Sequence, residues 1–437
     1  MPGIAAPRGT RDLLPDASPA WEWLYAVHAR VAGEFGYQLV DTPVYEHTEL
    51  IERGVGVGTD VVDKETFTFD DRGGRSITLR PEGTAGVLRA VLSASLTQEI
   101  RPLRVRYAGP MFRAERPQHG RYRQFFQVGV ECIGETSPHL DAEIIELGWR
   151  FLEELGLDGV SLQVNSLGDA EDRRRYREAL IAYYEPHYDS LCDDCKRRLR
   201  INPLRLLDCK RDSGLVAGAP RIADSLSPES SAYFATVLAD LRDAGIAHEV
   251  NPRLVRGLDY YSHTAFEFWH SSLQGAQNAL GGGGRYDGLA EVLGFAPTPG
   301  VGYAFGVERL LMTAAPYGRV PAAEPACDAL VAAIEPAQAK GAAAVARSLR
   351  GAGIRTVLDV SDRKIDRKLR YADRLGARAI VLVGPDEQAE NAATVRDMRT
   401  REQRRVPLAD LADAVAQVLA TAPPSPAPAA PTQAHSG

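Results

Sequence analysis

Two neighbouring runs of the chain carry residue types able to hold an anionic nucleotide beside a small zwitterion. The first is Tyr107-Ala108-Gly109-Pro110-Met111-Phe112-Arg113-Ala114-Glu115-Arg116, and the second runs from Gly120-Arg121-Tyr122-Arg123 through Gln124-Phe125-Phe126-Gln127-Val128-Gly129-Val130-Glu131. In an extended chain side chains alternate faces, so Arg113 and Glu115 share one face, as do Arg123, Phe125, Gln127, Gly129 and Glu131. If the two faces coincide, one surface presents arginine, an aromatic ring, an amide and carboxylates. Guanidinium suits phosphate, a ring suits a base, and carboxylates suit amino groups. An ordinary solvated sheet also mixes charges. A glycine that clears space among Arg, Phe, Gln and Glu is the less ordinary feature.

Three further segments bear on the same chemistry. Gly300-Val301-Gly302-Tyr303-Ala304-Phe305-Gly306-Val307-Glu308-Arg309-Leu310-Leu311 reads as the approach to a helix, expected from about Gly302 to Thr313. Gly302 and Gly306 are then on one helical face, with Arg309 polar amid apolar neighbours, although one snorkelling arginine on an amphipathic helix is common. Gly281-Gly282-Gly283-Gly284 reads as a flexible turn, because no strand–turn–helix of dinucleotide type surrounds it. There is no Gly-x4-Gly-Lys-Ser/Thr loop either, so any phosphate must be held some other way, and an arginine-lined antiparallel sheet provides one. Finally, Cys192-x2-Cys195 with Cys209, and His187 nearby, has the look of a Cys3His zinc site. Its second half lacks paired spacing, and buried structural cysteines are common, so no metal is assigned to it.

Phe112-Arg113-x-Glu115, a charged loop, and Arg121-x-Arg123-x-Phe125 together resemble the second signature of class II aminoacyl-tRNA synthetases. The segment leading to Arg309 resembles their third. Leu254-Val255-Arg256-Gly257-Leu258-Asp259-Tyr260-Tyr261-Ser262-His263-Thr264-Ala265-Phe266-Glu267-Phe268 and Gly281-Gly282-Gly283-Gly284-Arg285-Tyr286-Asp287-Gly288-Leu289 are similar to signatures of the histidyl family, as are Arg8–Pro15 and Thr78–Thr84. These elements span residues 8 to 312.

The resemblance implies an α+β fold: an antiparallel-sheet catalytic domain with a mainly helical insertion, plus a C-terminal α/β anticodon-binding domain. It implies activation of L-histidine by ATP with Mg2+, then transfer to the 3' end of tRNA(His). Arg113 and Arg256 are the implied cations at the reacting phosphate, where negative charge gathers. Glu115, Arg121 and Phe125 are implied for the rest of the nucleotide, and Arg309 for the γ-phosphate. Glu82, Gly83, Thr84 and Gln127 are implied around the α-ammonium and carboxylate of histidine. Glu131 and Tyr261, with Tyr260 beside it, are implied at the imidazole. Polar partners on both ring nitrogens reject apolar isosteres strongly. Arg116 and Gln118 are implied at the acceptor stem, Lys364, Arg367 and Lys368 at the anticodon, and a homodimer through the region from Ser18 to Pro43. A regulatory paralogue that binds histidine without catalysis, and a prolyl or threonyl specificity, are the rival readings. The full set of signatures and the Arg256–Tyr261 segment oppose them.

The elements that must position these residues can be read from periodicity. Ser18-Pro19 followed by Trp21, Leu24, Tyr25, Val31 and Phe35 predicts a capped amphipathic helix ending at Gly36. Helices are expected over about 83–95 and 139–155, with extended runs Leu103–Arg113 and Tyr122–Ile133 between them as an antiparallel hairpin. Residues 1–169 and 251–320 then form one catalytic domain interrupted by a mainly helical, Arg-rich insertion over 170–250, with extended runs resuming at Leu254, 265–269 and 277–280. Strands at 329–334, 355–358 and 379–383 alternate with helices from about 338 and over 363–375, which predicts a small α/β domain over 326–421. In the last helix Ile365, Leu369, Ala372 and Leu375 are spaced for the core, leaving Lys364, Arg367, Lys368 and Arg370 outward.

Bulk properties narrow the setting. At 437 residues, 44% hydrophobic and 25% charged, the chain reads as two or three soluble globular domains. No apolar run reaches the ~20 residues of a membrane helix, no secretory signal is visible, and five cysteines describe no disulfide framework. A cytoplasmic protein is expected. The net charge is −7, yet residues 326–421 hold 16 basic against 13 acidic side chains, leaving −10 on the remainder. A mildly basic module on an acidic body can bind a polyanion locally. Residues 422–437, rich in Pro, Ala and Ser, are expected to be disordered.

Overall fold

The computed structural model describes residues 4–56, 65–114, 122–207, 209, 211–255, 260–273 and 278–420. Contacts divide the chain into two compact units, Met1–Ala322 and Ala323–Gly437. The first is built on an eight-stranded sheet whose order is β1 (Gln38–Leu39), β5 (Leu103–Phe112), β6 (Gln124–Ile133), β11 (Gly300–Gly306), β10 (Ala279–Arg285), β9 (Ser262–His270), β7 (Val160–Ser166) and β8 (His248–Val250). The two outermost pairings are parallel and the remainder antiparallel. A separate three-stranded sheet joins β2 (Tyr45–His47), β4 (Ser76–Leu79) and β3 (Thr68–Asp70).

Helices α1 (Ser18–Glu34) and α4 (Pro138–Glu154) cover one side of the large sheet. Their buried Trp21, Leu24, Val31, Ile144, Leu147 and Phe151 pack with Val128, Val130, Val301, Tyr303 and Phe305 from the strands. The other side carries α2 (Thr48–Val55) and α3 (Thr84–Ser93), with Leu88 and Val91 packed against Val105, Tyr107 and Met111. The expected cap of α1 by Ser18 is not made: Ser18 lies inside the helix, no side chain caps it, and Pro19 occupies the first turn, where a missing N–H costs nothing. His28 is a core residue of α1, its imidazole pushed down to about 3 by burial and by Arg106.

Two expectations about glycine are corrected. The helix expected from Gly302 is strand β11 through Gly306, and only Val307–Ala314 (α8) is helical. Val301, Tyr303 and Phe305 alternate into the core, a period of two that Gly302 and Ala304 between them obscure. The Gly281–Gly284 run is likewise not a turn but the middle of β10, paired with β9 and β11 on either side. Leu254 does not begin a strand; β8 lies upstream of it.

The insertion contains α5 (Ala170–Tyr184), α6 (Asp193–Ile201) and α7 (Pro228–Asp243) among shorter turns. Tyr176, Leu180, Tyr184, Cys195, Leu199 and Leu206 form its own small core. In the second unit, β13 (Thr356–Asp359), β12 (Ala329–Ala333) and β14 (Ala379–Val383) run parallel, and β15 (Ala392–Asp397) and β16 (Gln403–Pro407) extend the sheet antiparallel. Helices α9 (Ala339–Gly351), α10 (Ile365–Leu375) and α11 (Leu411–Ala420) complete the unit. Among the described residues no helix is long and apolar enough to cross a membrane.

Candidate active site

The floor of the site follows from strand register. Residues opposite one another in an antiparallel pair share a face. The register sets Gly109 opposite Gln127, Tyr107 opposite Gly129, and Val105 opposite Glu131, and then on the next strand Gly306, Ala304 and Gly302 opposite the same three β6 residues. Gly282 and Gly284 of β10 continue the rows. Apart from Val105 and Tyr107 on β5, this face of the sheet centre is therefore paved with residues that have little or no side chain, from which Gln127 and Glu131 rise. The pairing of Met111 with Phe125 carries the same face outward to Arg113 and Arg123, whose backbones are bonded at 2.8 Å. The shared face expected of the two runs is thus the geometry of the hairpin.

Glycine is required where the backbone is crowded. A Cβ on Gly302 would fall 1.9 Å from Oε2 of Glu131 and 2.3 Å from the Val130 carbonyl. A Cβ on Gly129 would fall 2.4 Å from the ring of Tyr107, which lies across that space, with Gly83 against the same ring.

Glu131 is buried among polar groups. Thr84 donates its hydroxyl to Oε1 at 2.7 Å and Tyr286 donates to Oε2 at 2.6 Å. Burial nevertheless pushes the carboxyl up to about 8, against the pull of those two hydrogen bonds. Glu82 is engaged by the backbone: its carboxylate accepts from the N–H groups of Thr84 at 2.6 Å and Ala85 at 2.9 Å, at the N-terminus of α3, where orphan donors and the helix dipole favour an anion. Burial raises its carboxyl too.

Tyr260 and Tyr261 close the arrangement, their rings 4.6 Å apart, with Tyr260 edge-on to Tyr286 at 5.9 Å. The Tyr107 and Tyr260 phenols are held well above their ordinary range, chiefly by burial and further by Glu82 and Glu131. They remain neutral donors. The carbonyl oxygen of the Gln127 side chain is buried without a hydrogen-bond partner among the described residues, a costly state unless a ligand donor arrives.

At the open end of the hairpin, Arg113 donates Nε to the Pro81 carbonyl at 3.0 Å, and its guanidinium lies 5.2 Å from the centre of the Phe125 ring. Arg309 stands in the first turn of α8 and donates to the Ala279 carbonyl at 2.8 Å. Glu308 beside it points back and accepts from the Phe126 N–H at 3.1 Å. Arg256, Glu115, Arg116, Gln118 and Arg121 lie outside the described residues. Tyr107 and Tyr286 line the candidate site, although the motifs alone assign them no role. Tyr286 falls within the Gly281–Leu289 segment, so its motif is visible in the sequence even though its task is not.

Lys364 and Arg367 of the second unit are exposed, but Lys368 is not. Its ammonium is wholly buried, donating to the Ser361 carbonyl at 2.5 Å and facing Asp359 at 3.5 Å. The outward orientation expected of it is corrected: α10 begins at Ile365, which is exposed, so the buried stripe runs through Lys368 and Ala372.

The cysteine cluster is also corrected. Cys192, Cys195 and Cys209 converge, but the fourth group is Asp212. His187 is exposed and packs on Tyr183 at 5.8 Å.

The family described as Histidyl-tRNA synthetase matches residues 9–171 and 206–310, and the one described as Anticodon binding domain matches 328–418. The histidine–tRNA ligase of Bacillus subtilis (strain 168) is 45% identical over 410 residues, 93% of this chain and 97% of that protein. That of Halalkalibacterium halodurans is 48% identical over 413 residues, 93% and 96% of the two chains. The crystal structure of the apo S. aureus histidyl-tRNA synthetase aligns with a TM-score of 0.79 at 36% identity, covering 94% of this chain and all of that one. With the signatures in order along the chain and these matches over nearly all of it, the conclusion is direct: this chain belongs to the histidyl-tRNA synthetase family.

Proposed function

We propose that the chain charges tRNA(His): it activates L-histidine with ATP to histidyl-adenylate and transfers the histidine to the 3' end of the tRNA, in the cytoplasm and as a homodimer. The observation that carries the reading is the glycine-floored face on which a buried Glu131, held by Thr84 and Tyr286, stands in the same strand as the unpartnered Gln127 oxygen. Four residues of strand separate them by about 13 Å of backbone. Two side chains reaching inward from those points leave room for one small amino acid. Its imidazole would meet Glu131 and Tyr261, and its α-ammonium would give Gln127 the donor that it lacks.

The carboxylate of that histidine attacks the α-phosphorus of ATP and pyrophosphate leaves. Arg113 and Arg256 supply fixed positive charge where the phosphoryl group becomes more negative. Phe125 supports the adenine, Glu115 and Arg121 hold the nucleotide further out, and Arg309 takes the γ-phosphate. Mg2+ enters with the β- and γ-phosphates as part of the co-substrate. Arg116 and Gln118 contact the acceptor stem, and Lys364 and Arg367 the anticodon. Leu39 on the edge strand β1 is 59% exposed, which supports a second copy packing there.

The deciding experiment is amino-acid-dependent exchange of pyrophosphate into ATP, with Arg256→Ala alongside. Exchange with histidine alone, lost in the variant, is expected. Histidine binding without any exchange would overturn the reading in favour of a non-catalytic paralogue.

A further inference from the structure

We propose that the insertion holds a structural zinc ion on Cys192, Cys195, Cys209 and Asp212. One ligand atom from each lies within 4.8 Å of all the others. The Cys192 and Cys209 sulfurs are 3.8 Å apart, and the Cys209 sulfur is 3.7 Å from Oδ2 of Asp212. A tetrahedron with Zn–S near 2.3 Å and Zn–O near 2.1 Å has S···S edges of about 3.8 Å and S···O edges of about 3.6 Å. Two of the cluster's six edges, Cys192–Cys209 and Cys209–Asp212, already have those lengths, and the others lie within 4.8 Å. It does not have those of a disulfide, whose sulfurs stand about 2.05 Å apart.

The ligand spacing explains why only half the pattern stands out when cysteine and histidine alone are counted. Cys192 and Cys195 are separated by two residues at the start of α6, and Cys209 and Asp212 are separated by two residues further along. The paired spacing of a zinc site is therefore complete once an aspartate is admitted as the fourth ligand. Asp212 also accepts the Cys192 N–H at 3.2 Å, which orients its carboxylate among the sulfurs. Among the described residues no basic side chain forms an ion pair with it.

Local energetics give the ion a purpose. The insertion core is a small cluster of Tyr, Leu and Cys side chains, and Cys195 is fully buried within it. Among the described residues between Ile201 and Ser213, the only regular structure is a short 3-10 turn, Pro203–Leu206. A tetrahedral ion would tie that segment to the start of α6 and add stability that so small a core cannot supply. Each coordinating thiol gives its proton to solvent, and nothing is oxidised or reduced.

The test uses the full chain purified without added metal or chelator. Elemental analysis is expected to find about one zinc per chain, falling severalfold in Cys209→Ser. Exchange of the metal for Co2+ is expected to give thiolate-to-cobalt charge-transfer absorption and the visible bands of a tetrahedral site. Asp212→Asn, which keeps shape and backbone contact, should shift those bands. If the reduced wild-type chain carries no stoichiometric metal and gives no cobalt spectrum on reconstitution, the proposal fails. A native Cys192–Cys209 disulfide would overturn it equally. Neither reading depends on catalysis, so loss of this site would leave the proposed charging activity standing.

Discussion

The hydroxyl of Tyr286 donates to Oε2 of Glu131 at 2.6 Å, joining the residue that follows β10 to the C-terminal part of β6 across the intervening strand. Thr84 holds the other oxygen from α3. Three elements thus aim one carboxyl group. Glu131 can turn away from a ligand only by breaking buried hydrogen bonds, each worth about 0.5–1.5 kcal/mol. Tyr286→Phe should therefore raise the KM for histidine about tenfold in pyrophosphate exchange, with the KM for ATP little changed. An equal loss against both substrates would show that Tyr286 supports the fold and not this site.

Glu131 also predicts a pH dependence. Its carboxyl is raised from 4.5 to about 8 by burial. In the unfolded chain it ionises near its ordinary value, so the folded state binds the extra proton between those limits. Stability from this group is fully present below about 4.5, falls as pH rises, and levels off above about 8. Glu131→Gln should flatten that part of the stability–pH profile measured by denaturant unfolding. For the ligand the sign is different. A neutral imidazole meeting a protonated Glu131 near pH 7 shares one proton, whereas above about pH 8 the site must take a proton up. Calorimetric titration with histidine in buffers of differing ionisation enthalpy should show proton uptake growing above pH 8, and less of that growth in Glu131→Gln, where only the α-amino group of histidine still takes a proton up.

How far the site is legible in the sequence depends on whether side chains or bare backbone carry the information. Alternation on a strand is a local property, so the common face of Phe125, Gln127 and Glu131 follows from residue order alone. The glycines cannot be read in this way. Gly281–Gly284 and Gly302 have no side chain with which to declare a period, and their placement in the sheet centre is enforced by Tyr303, Phe305 and Glu131 on neighbouring strands. Lys368 defies its residue type for a related reason: its four-carbon stem fits a core stripe provided that its ammonium finds Ser361 and Asp359. Asp212 escapes a metal pattern framed in Cys and His, because aspartates are common and a single one at the right spacing does not stand out.

Beneath the site, Arg285 and Asp141 form a wholly buried ion pair, with Nε and Nη2 of Arg285 at 2.9 and 2.6 Å from the same carboxylate oxygen. Thr264 and Tyr233 donate to the other oxygen, at 2.6 and 3.2 Å. The pair links β10, α4, β9 and α7. Removing one partner strands the other charge in the core, which costs about 3–5 kcal/mol. Arg285→Leu should thus lower the denaturant midpoint sharply. The double variant Arg285→Leu with Asp141→Leu should recover much of the loss, because no wholly buried charge is left alone; Asp287, which Arg285 also holds at 2.9 Å, is partly exposed to solvent. A double variant as unstable as the sum of the singles would mean that the pair is not the coupled unit its geometry implies.

Lys368 and Arg367, adjacent in α10, should separate in function. Arg367 and Lys364 are exposed cations, and each phosphate that such a side chain contacts adds roughly one to the slope of binding against salt. Arg367→Ala with Lys364→Ala should weaken tRNA binding and reduce that slope by about two, leaving thermal stability nearly unchanged. Lys368→Met removes a buried ammonium bonded to Ser361 and facing Asp359, and leaves Asp359 without its cation. It should destabilise the second unit by about 1–3 kcal/mol while the salt slope stays where it was. Equilibrium binding of tRNA across a salt series, beside thermal unfolding of the same variants, distinguishes the two. A salt slope that falls with Lys368→Met would put that ammonium on the RNA after all, and would require α10 to turn when it binds.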